Sequence, residues 1–312
     1  MRKPRILTIG NAAMTFICTA ERFPEADDTL VSEGGLQIFP GGKGLNAALC
    51  CARLGADAVL CTRAGNDVYA KRIAEFCAKD SIDTRFVFFD SDNKTDLVQV
   101  FRAPGEACGR TIVFPGAGAA LSPENVEEAF TCYPDGVYIC GETAAENTYF
   151  AVSKAKEQKI PVFLNLTDLP SDFDPHSVGV CEVLLPDEEQ TEKLTGIAPT
   201  GADNALRAAI KLSSLIHNKY VVIRLGKRGL FVYDGLHREM ITALDVHETD
   251  TSRAGDAFAA SLAARYLQNG GNISDAARFA ACVGAYSVTQ SGTDSFPTVG
   301  QLEEFINRYN ER

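Results

Sequence analysis

Six short apolar runs punctuate this chain: Arg5 to Gly10, Ala58 to Thr62, Gly136 to Cys140, Pro161 to Leu164, Val180 to Leu185 and Tyr220 to Leu225. Short apolar runs bounded by turn residues read as strands buried on both faces, and such strands belong to a parallel sheet covered by helices. Helical patterns separate most of them, at Gly44 to Leu54, Asp67 to Lys79, Ala145 to Gln158, Glu188 to Thr195, Ala202 to His217, Gly255 to Gln268, Ile273 to Thr289 and Val299 to Asn310. Ser122-Pro123-Glu124 and Thr298 supply helix starts, and Thr195-Gly196 and Asn269-Gly270-Gly271 supply stops. The alternation predicts one α/β domain over residues 1–312, with a mainly parallel central sheet and helices on both faces.

Two stretches break that rhythm. Thr29 to Phe39 and Asp96 to Phe114, the latter with a turn at Pro104-Gly105-Glu106, read as strand and hairpin with no helix between. They are expected to pair with one another into a small sheet projecting from the main one.

Composition narrows the partners. A formal charge of -11 lacks the basic stripe that a polyanion requires, which excludes nucleic acid as a main partner. Ten cysteines without a Cys-x-x-Cys pair and four scattered histidines exclude the usual zinc spacings, and the thiols read as small core residues in a reducing, cytoplasmic setting. Arg2, Lys3 and Arg5 before the apolar run Ile6 to Ala20 superficially suggest a signal peptide, but Gly10, Asn11 and Thr15 interrupt it. A buried first strand followed by a turn explains the run better, and no stretch is long or apolar enough to span a bilayer.

The chemistry concentrates in two clusters. Asp250-Thr251-Ser252-Arg253-Ala254-Gly255-Asp256-Ala257-Phe258 is a turn running into a helix, where unpaired amides and the helix dipole attract a phosphate and Asp256 can take a proton from an attacking hydroxyl. Pro40-Gly41-Gly42-Lys43-Gly44-Leu45-Asn46 opens another helix, with glycines that allow close backbone approach to a ligand and with Lys43 and Asn46 as donors. The second cluster is not a Walker A loop, because no Ser or Thr follows Lys43, and Gly10-Asn11-Ala12-Ala13 is not a dinucleotide fingerprint.

Together and in this order, the two clusters resemble the signatures of the ribokinase (PfkB) family of carbohydrate kinases. The resemblance runs through Pro186-Asp187-Glu188, Leu225-Gly226-Lys227-Arg228-Gly229 and Val288-Thr289 with Gly292. It implies a three-layer ribokinase-like sandwich with a β lid built from about residues 12–41 and 95–115. It implies ATP and Mg²⁺, a sugar acceptor with ribose or a related pentose or ketose as default, and a homodimer through the lid. Asp256 would be the general base, and the amides of Arg253, Ala254, Gly255 and Asp256 the anion hole. Thr15, Gly41, Gly42, Lys43, Asn46, Glu142 and Asp256 would face the sugar; Asp187, Arg224, Leu225, Gly226 and Gly229 would face the nucleotide. Asp187 and Gln190 would organise Mg²⁺ through water, and Asp250, Ser252, Ser287, Gly292 and Ser295 resemble the family's loop for a monovalent cation such as K⁺.

Three departures stand out. Thr15 replaces an aspartate that clamps two sugar hydroxyls, and Asp187-Glu188-Glu189-Gln190 replaces the family's Asn-x-x-Glu. Arg253 stands where a small residue is expected: if the position needs positive φ its β-carbon costs about 1 kcal/mol or more, and its guanidinium could clamp a phosphate, lie in solvent or obstruct the site. The competing readings are a nucleoside kinase of the same fold and a catalytically impaired protein that binds sugar or nucleotide.

Overall fold

The structure is a computed structural model that describes residues 2–32, 34–103 and 109–311. In chain order the strands are β1 (Arg5–Ile9), β2 (Ala13–Thr19), β3 (Leu36–Gly41), β4 (Asp57–Gly65), β5 (Asp83–Asp90), β6 (Asp96–Arg102), β7 (Arg110–Phe114), β8 (Gly136–Cys140), β9 (Val162–Asn165), β10 (Val180–Leu185), β11 (His217–Arg224), β12 (Leu230–Tyr233) and β13 (Arg238–Ile241). The helices are α1 (Lys43–Arg53), α2 (Val68–Lys79), α3 (Pro123–Ala129), α4 (Ala145–Gln158), α5 (Glu188–Thr195), α6 (Ala202–Leu215), α7 (Ala254–Gln268), α8 (Ile273–Val288) and α9 (Val299–Asn310).

Nine strands form the main sheet in the order β13-β12-β11-β10-β9-β8-β1-β4-β5. From β11 to β5 every pairing is parallel; only the β11-β12-β13 edge is antiparallel. Adjacent residues of a strand point to opposite faces, so both must be apolar where helices cover both sides. In β8, Tyr138 and Cys140 join the core under α1, α7 and α8, while Val137 and Ile139 join the core under α4 and α6. That two-sided burial is what produces the apolar runs.

The other four strands form a separate small sheet, ordered β3-β2-β6-β7. It corrects the expected pairing: β3 and β6 do not meet, because β2 lies between them, antiparallel to β3 and parallel to β6. The strand anticipated from Thr29 begins only at Leu36, and Pro104-Gly105-Glu106 lies outside the described residues. Helix α6 also stops at Leu215, two residues early, because Ile216 is already extended on its way into β11.

Candidate active site

In the main sheet β1 lies between β8 and β4; the chain steps outward from it through β4 and β5 on one side and through β8 to β11 on the other. Ligand crevices of open parallel sheets form beyond the carboxyl ends of strands at such a reversal. The residues that emerge there are Gly10 and Asn11 after β1 and Glu142 after β8. The Asn11 amide donates to Glu142 Oε1 at 3.3 Å.

The two sequence clusters meet at this crevice. Asn46, in the first turn of α1, donates from Nδ2 to Asp256 Oδ2 of α7 at 2.8 Å, across 210 residues of sequence. Their helix starts nevertheless differ. In α1 the amides of Gly44 and Leu45 both donate to the Asn11 carbonyl, at 3.0 and 3.3 Å, so the protein itself satisfies them. In α7 no side chain caps the helix, and among the described residues no hydrogen bond engages the amides of Arg253, Gly255 or Asp256. Among the described residues, the start of α7 leaves more donors open to an anion than the start of α1 does. The Ala254 amide is the exception to the expected set of four, donating to Thr251 O at 3.3 Å.

The glycines of the first cluster have packing causes. A β-carbon on Gly44 would lie 2.4 Å from the Gly10 carbonyl carbon, and Gly42 has φ of 94° with no room beside Asn11 O. Gly41 lies against Thr15, whose Oγ1 would be 2.6 Å from an added β-carbon. Thr15 is buried in β2 opposite Phe39 of β3. Lys43 Nζ is 2.9 Å from Asp168 Oδ2, in the turn after β9.

Charges in the crevice are coupled. Burial works to strip Lys43 of its proton, but the carboxylates of Asp256, Glu142 and Asp168 outweigh it and hold the ammonium above its ordinary value. Burial pushes the Glu142 carboxyl up to about 7 despite the opposing pull of Lys43, and among the described residues its Oε2 has no hydrogen-bond partner. Between its ordinary 4.5 and about 7 the folded chain therefore holds a proton that the unfolded chain has released. Stability should fall as pH rises through that window, and Glu142→Gln should remove this component. Urea melts of both proteins from about pH 5 to about pH 8 would show it, and identical slopes would contradict it.

Arg224 closes β11 with Nη2 3.5 Å from Asp187 Oδ2. Its Nη1 lies where a β-carbon on Gly255 would be, only 2.1 Å away, so a larger residue there would push this guanidinium aside. Asp187 caps α5, its Oδ1 accepting from the Gln190 amide at 2.8 Å, and Gln190 is buried behind it. Gly226 and Gly229 have φ of 54° and 94° in the turn after Leu225, and a side chain on Gly229 would strike Ile241 O. Among the described residues no group of three or more His, Cys, Asp or Glu forms a metal cage.

Of the courses open to it in the sequence, Arg253 does not lie in solvent. Its φ is -112°, so its β-carbon is unstrained. Its side chain is 8% exposed and lies over the Phe39 ring, 4.7 Å from the centroid, with Nη1 3.7 Å from Asp250 Oδ2. Asp250 also accepts from Arg102 Nη2 at 2.6 Å and from the Ser252 amide and hydroxyl at 3.0 and 2.6 Å. Although burial opposes it, these donors keep the Asp250 carboxyl below the usual carboxylate range. Ser287 and Ser295 are fully buried with hydroxyls that have no partner among the described residues, and Gly292 turns between them with φ of 62°.

The pfkB family carbohydrate kinase model matches residues 3–299. The chain belongs to the pfkB family of carbohydrate kinases. It is therefore an ATP-dependent carbohydrate kinase in class, with a ribokinase-like fold. Among curated pfkB relatives, the deoxyribokinase of Salmonella typhi is 27% identical over 307 residues, covering 97% of this chain and 98% of the relative. The ribokinase of Staphylococcus aureus is 27% identical over 304 residues, covering 96% and 98%. The solved structure of Arabidopsis thaliana ribokinase complexed with ribose and ATP superimposes with a TM-score of 0.85 at 22% identity, covering 98% and 99%.

Within this pfkB chain, sequence reasoning missed Asp168, Arg102 and Phe39. Each acts on a residue far away in sequence, and none sits in a motif. The positive φ of Asp168, 56°, is a backbone feature that its residue type permits but does not announce.

Proposed function

We propose that this chain transfers the γ-phosphoryl group of ATP to a hydroxyl of an aldopentose, with Asp256 as the general base. The observation that carries this is the open start of α7: free amides at the positive end of a 15-residue helix, with a carboxylate in its first turn, aligned by Asn46. Asp256 accepts the acceptor hydroxyl's proton, the resulting oxygen forms its bond to the γ-phosphorus, and the bond to the β-phosphate oxygen breaks to release ADP. The Gly255 and Asp256 amides and the adjacent Arg224 stabilise charge on the oxygens in flight. Lys43, Asn46 and Glu142 hold the sugar, and Leu225, Gly226 and Gly229 line the nucleotide end.

With no preformed cage among the described residues, one partly exposed carboxylate such as Asp187 suits a magnesium ion that arrives on the nucleotide phosphates and keeps most of its waters. When bound, that ion supplies neutralisation of phosphate charge. Ribose and 2-deoxyribose are the acceptors to compare, because a single hydroxyl at Thr15 makes weaker demands on the sugar than a carboxylate. The unstrained backbone at Arg253 and its side chain turned toward Asp250 favour an active enzyme over an impaired one. A panel of pentoses, ketoses and nucleosides in an ATP-consumption assay tests this reading; turnover of nucleosides in preference to every free sugar would replace it with a nucleoside kinase.

The small sheet is proposed as the lid over the sugar and as the dimer surface. Leu36, Ile38, Ile112 and Phe114 are exposed on one face of it, at its two edges, apolar surface of the kind that association covers. Light scattering is expected to give a dimer, and a monomer at high concentration would remove that role.

A further inference from the structure

The Asp250 loop resembles a monovalent-cation site in residue type, but its carboxylate is already committed. The side chain is 4% exposed. Oδ1 accepts two bonds from Ser252, and Oδ2 accepts Arg102 Nη2 and faces Arg253 Nη1. Two guanidiniums already neutralise the Asp250 carboxylate before any ion arrives, and Arg253 also stands in the field of Asp256. A cation drawn to Asp250 would meet like charge at short range in a poorly solvated place. The residues present do not fit the ion.

We propose that the Arg102 and Arg253 guanidiniums stand in for a monovalent cation beside the anion hole, making this kinase independent of K⁺. An ion in such a loop would neutralise Asp250 and fix the turn that leads into α7. Here two tethered charges do both, and they arrive from different directions. Arg253 is the residue before α7 itself. Arg102 ends β6, so the small sheet is bonded directly to the loop, and Phe39 of β3 supports the Arg253 guanidinium from the other side. The amides of Thr249 and Asp250 donate to Val288 O at the end of α8, which ties the loop to the Ser287 segment. The orphaned hydroxyls of Ser287 and Ser295 are the half of a cation loop that remains. Arg102 is thus a positioning residue, acting on the phosphoryl site through Asp250.

The test has a binding arm and an activity arm, and only the second rests on the proposed phosphoryl transfer. Equilibrium dialysis with rubidium, in tetramethylammonium buffer, should show no binding to the wild type. Thermal melts should show no stabilisation by KCl beyond that of tetramethylammonium chloride at equal ionic strength. One bound ion, or a K⁺-specific shift, would overturn the proposal even if no sugar were turned over. In the activity arm, KCl should change the wild-type rate by less than about twofold, whereas Arg102→Gln with Arg253→Gly should become K⁺-responsive by about tenfold or more. Arg102→Lys alone keeps the charge and should stay K⁺-independent. It guards against misfolding of the double variant, and strong K⁺ activation of Arg102→Lys or of the wild type would contradict the proposal.

Discussion

Asp256→Asn is expected to lower kcat by about 10²–10⁴-fold while leaving KM for sugar and for ATP within a few-fold. The replacement keeps the size of the side chain and an oxygen that can accept from Asn46 Nδ2, so the alignment between α1 and α7 persists. What disappears is the capacity to take a proton. Because the helix start and its amides are untouched, residual turnover should remain from positioning and charge stabilisation alone. Steady-state kinetics checks the split between kcat and KM, and a melt at matched pH checks that the fold survives. A variant with wild-type kcat would take Asp256 out of the chemistry.

Gly44→Ala is expected to destabilise the fold by about 1–3 kcal/mol and to lower activity with it. The new methyl would meet backbone of Gly10, its nearest atoms at 2.4 to 2.8 Å, and backbone cannot swing aside as a side-chain tip can. Relief requires α1 to move away from β1. That motion would stretch the bonds from the Gly44 and Leu45 amides to Asn11 O and carry Asn46 away from Asp256. The loss should therefore appear in both the urea midpoint and kcat. Gly300→Ala, where an added β-carbon meets nothing in the first turn of α9, serves as the control and should leave kcat unchanged without lowering the midpoint. An unchanged midpoint in Gly44→Ala would mean that the contact between α1 and β1 is looser than described.

Much of the site was legible because its parts are local. The start of α7 and the turn into α1 are each a few consecutive residues whose types report backbone needs and charge directly. The doubly covered strands were legible for the same reason, since burial on both faces leaves continuous apolar runs. Strand β4 was read short, ending at Thr62, because Arg63 breaks the run; the guanidinium is tolerated there by bonding Asp90 at 2.9 Å. Strand β5 escaped because it is an edge with exposed and charged positions, among them Arg85 and Phe89. Strand β13 escaped because only Ile241 of its four residues is buried, and β12, though apolar, follows β11 after a short turn with no helix between them.

What could not be read was pairing across the fold. Arg253 looked anomalous in isolation, since its meaning depends on Phe39, Asp250 and Arg102, drawn from three separate segments. Its backbone angle decides the question of strain, and sequence carries no such angle. Asp168 is similar: an aspartate in a turn is unremarkable until it stands opposite Lys43.

The central claim is that the open helix start of α7 and Asp256 pass a phosphoryl group from ATP to a pentose hydroxyl. Phosphorus NMR of wild type and Asp256→Asn, each incubated with Mg²⁺-ATP and either ribose or 2-deoxyribose, reads that product directly. The expected result is a phosphomonoester resonance that grows as ADP appears with the wild type and is nearly absent with the variant. ADP and free phosphate without a sugar phosphate, or equal product from both proteins, would contradict it.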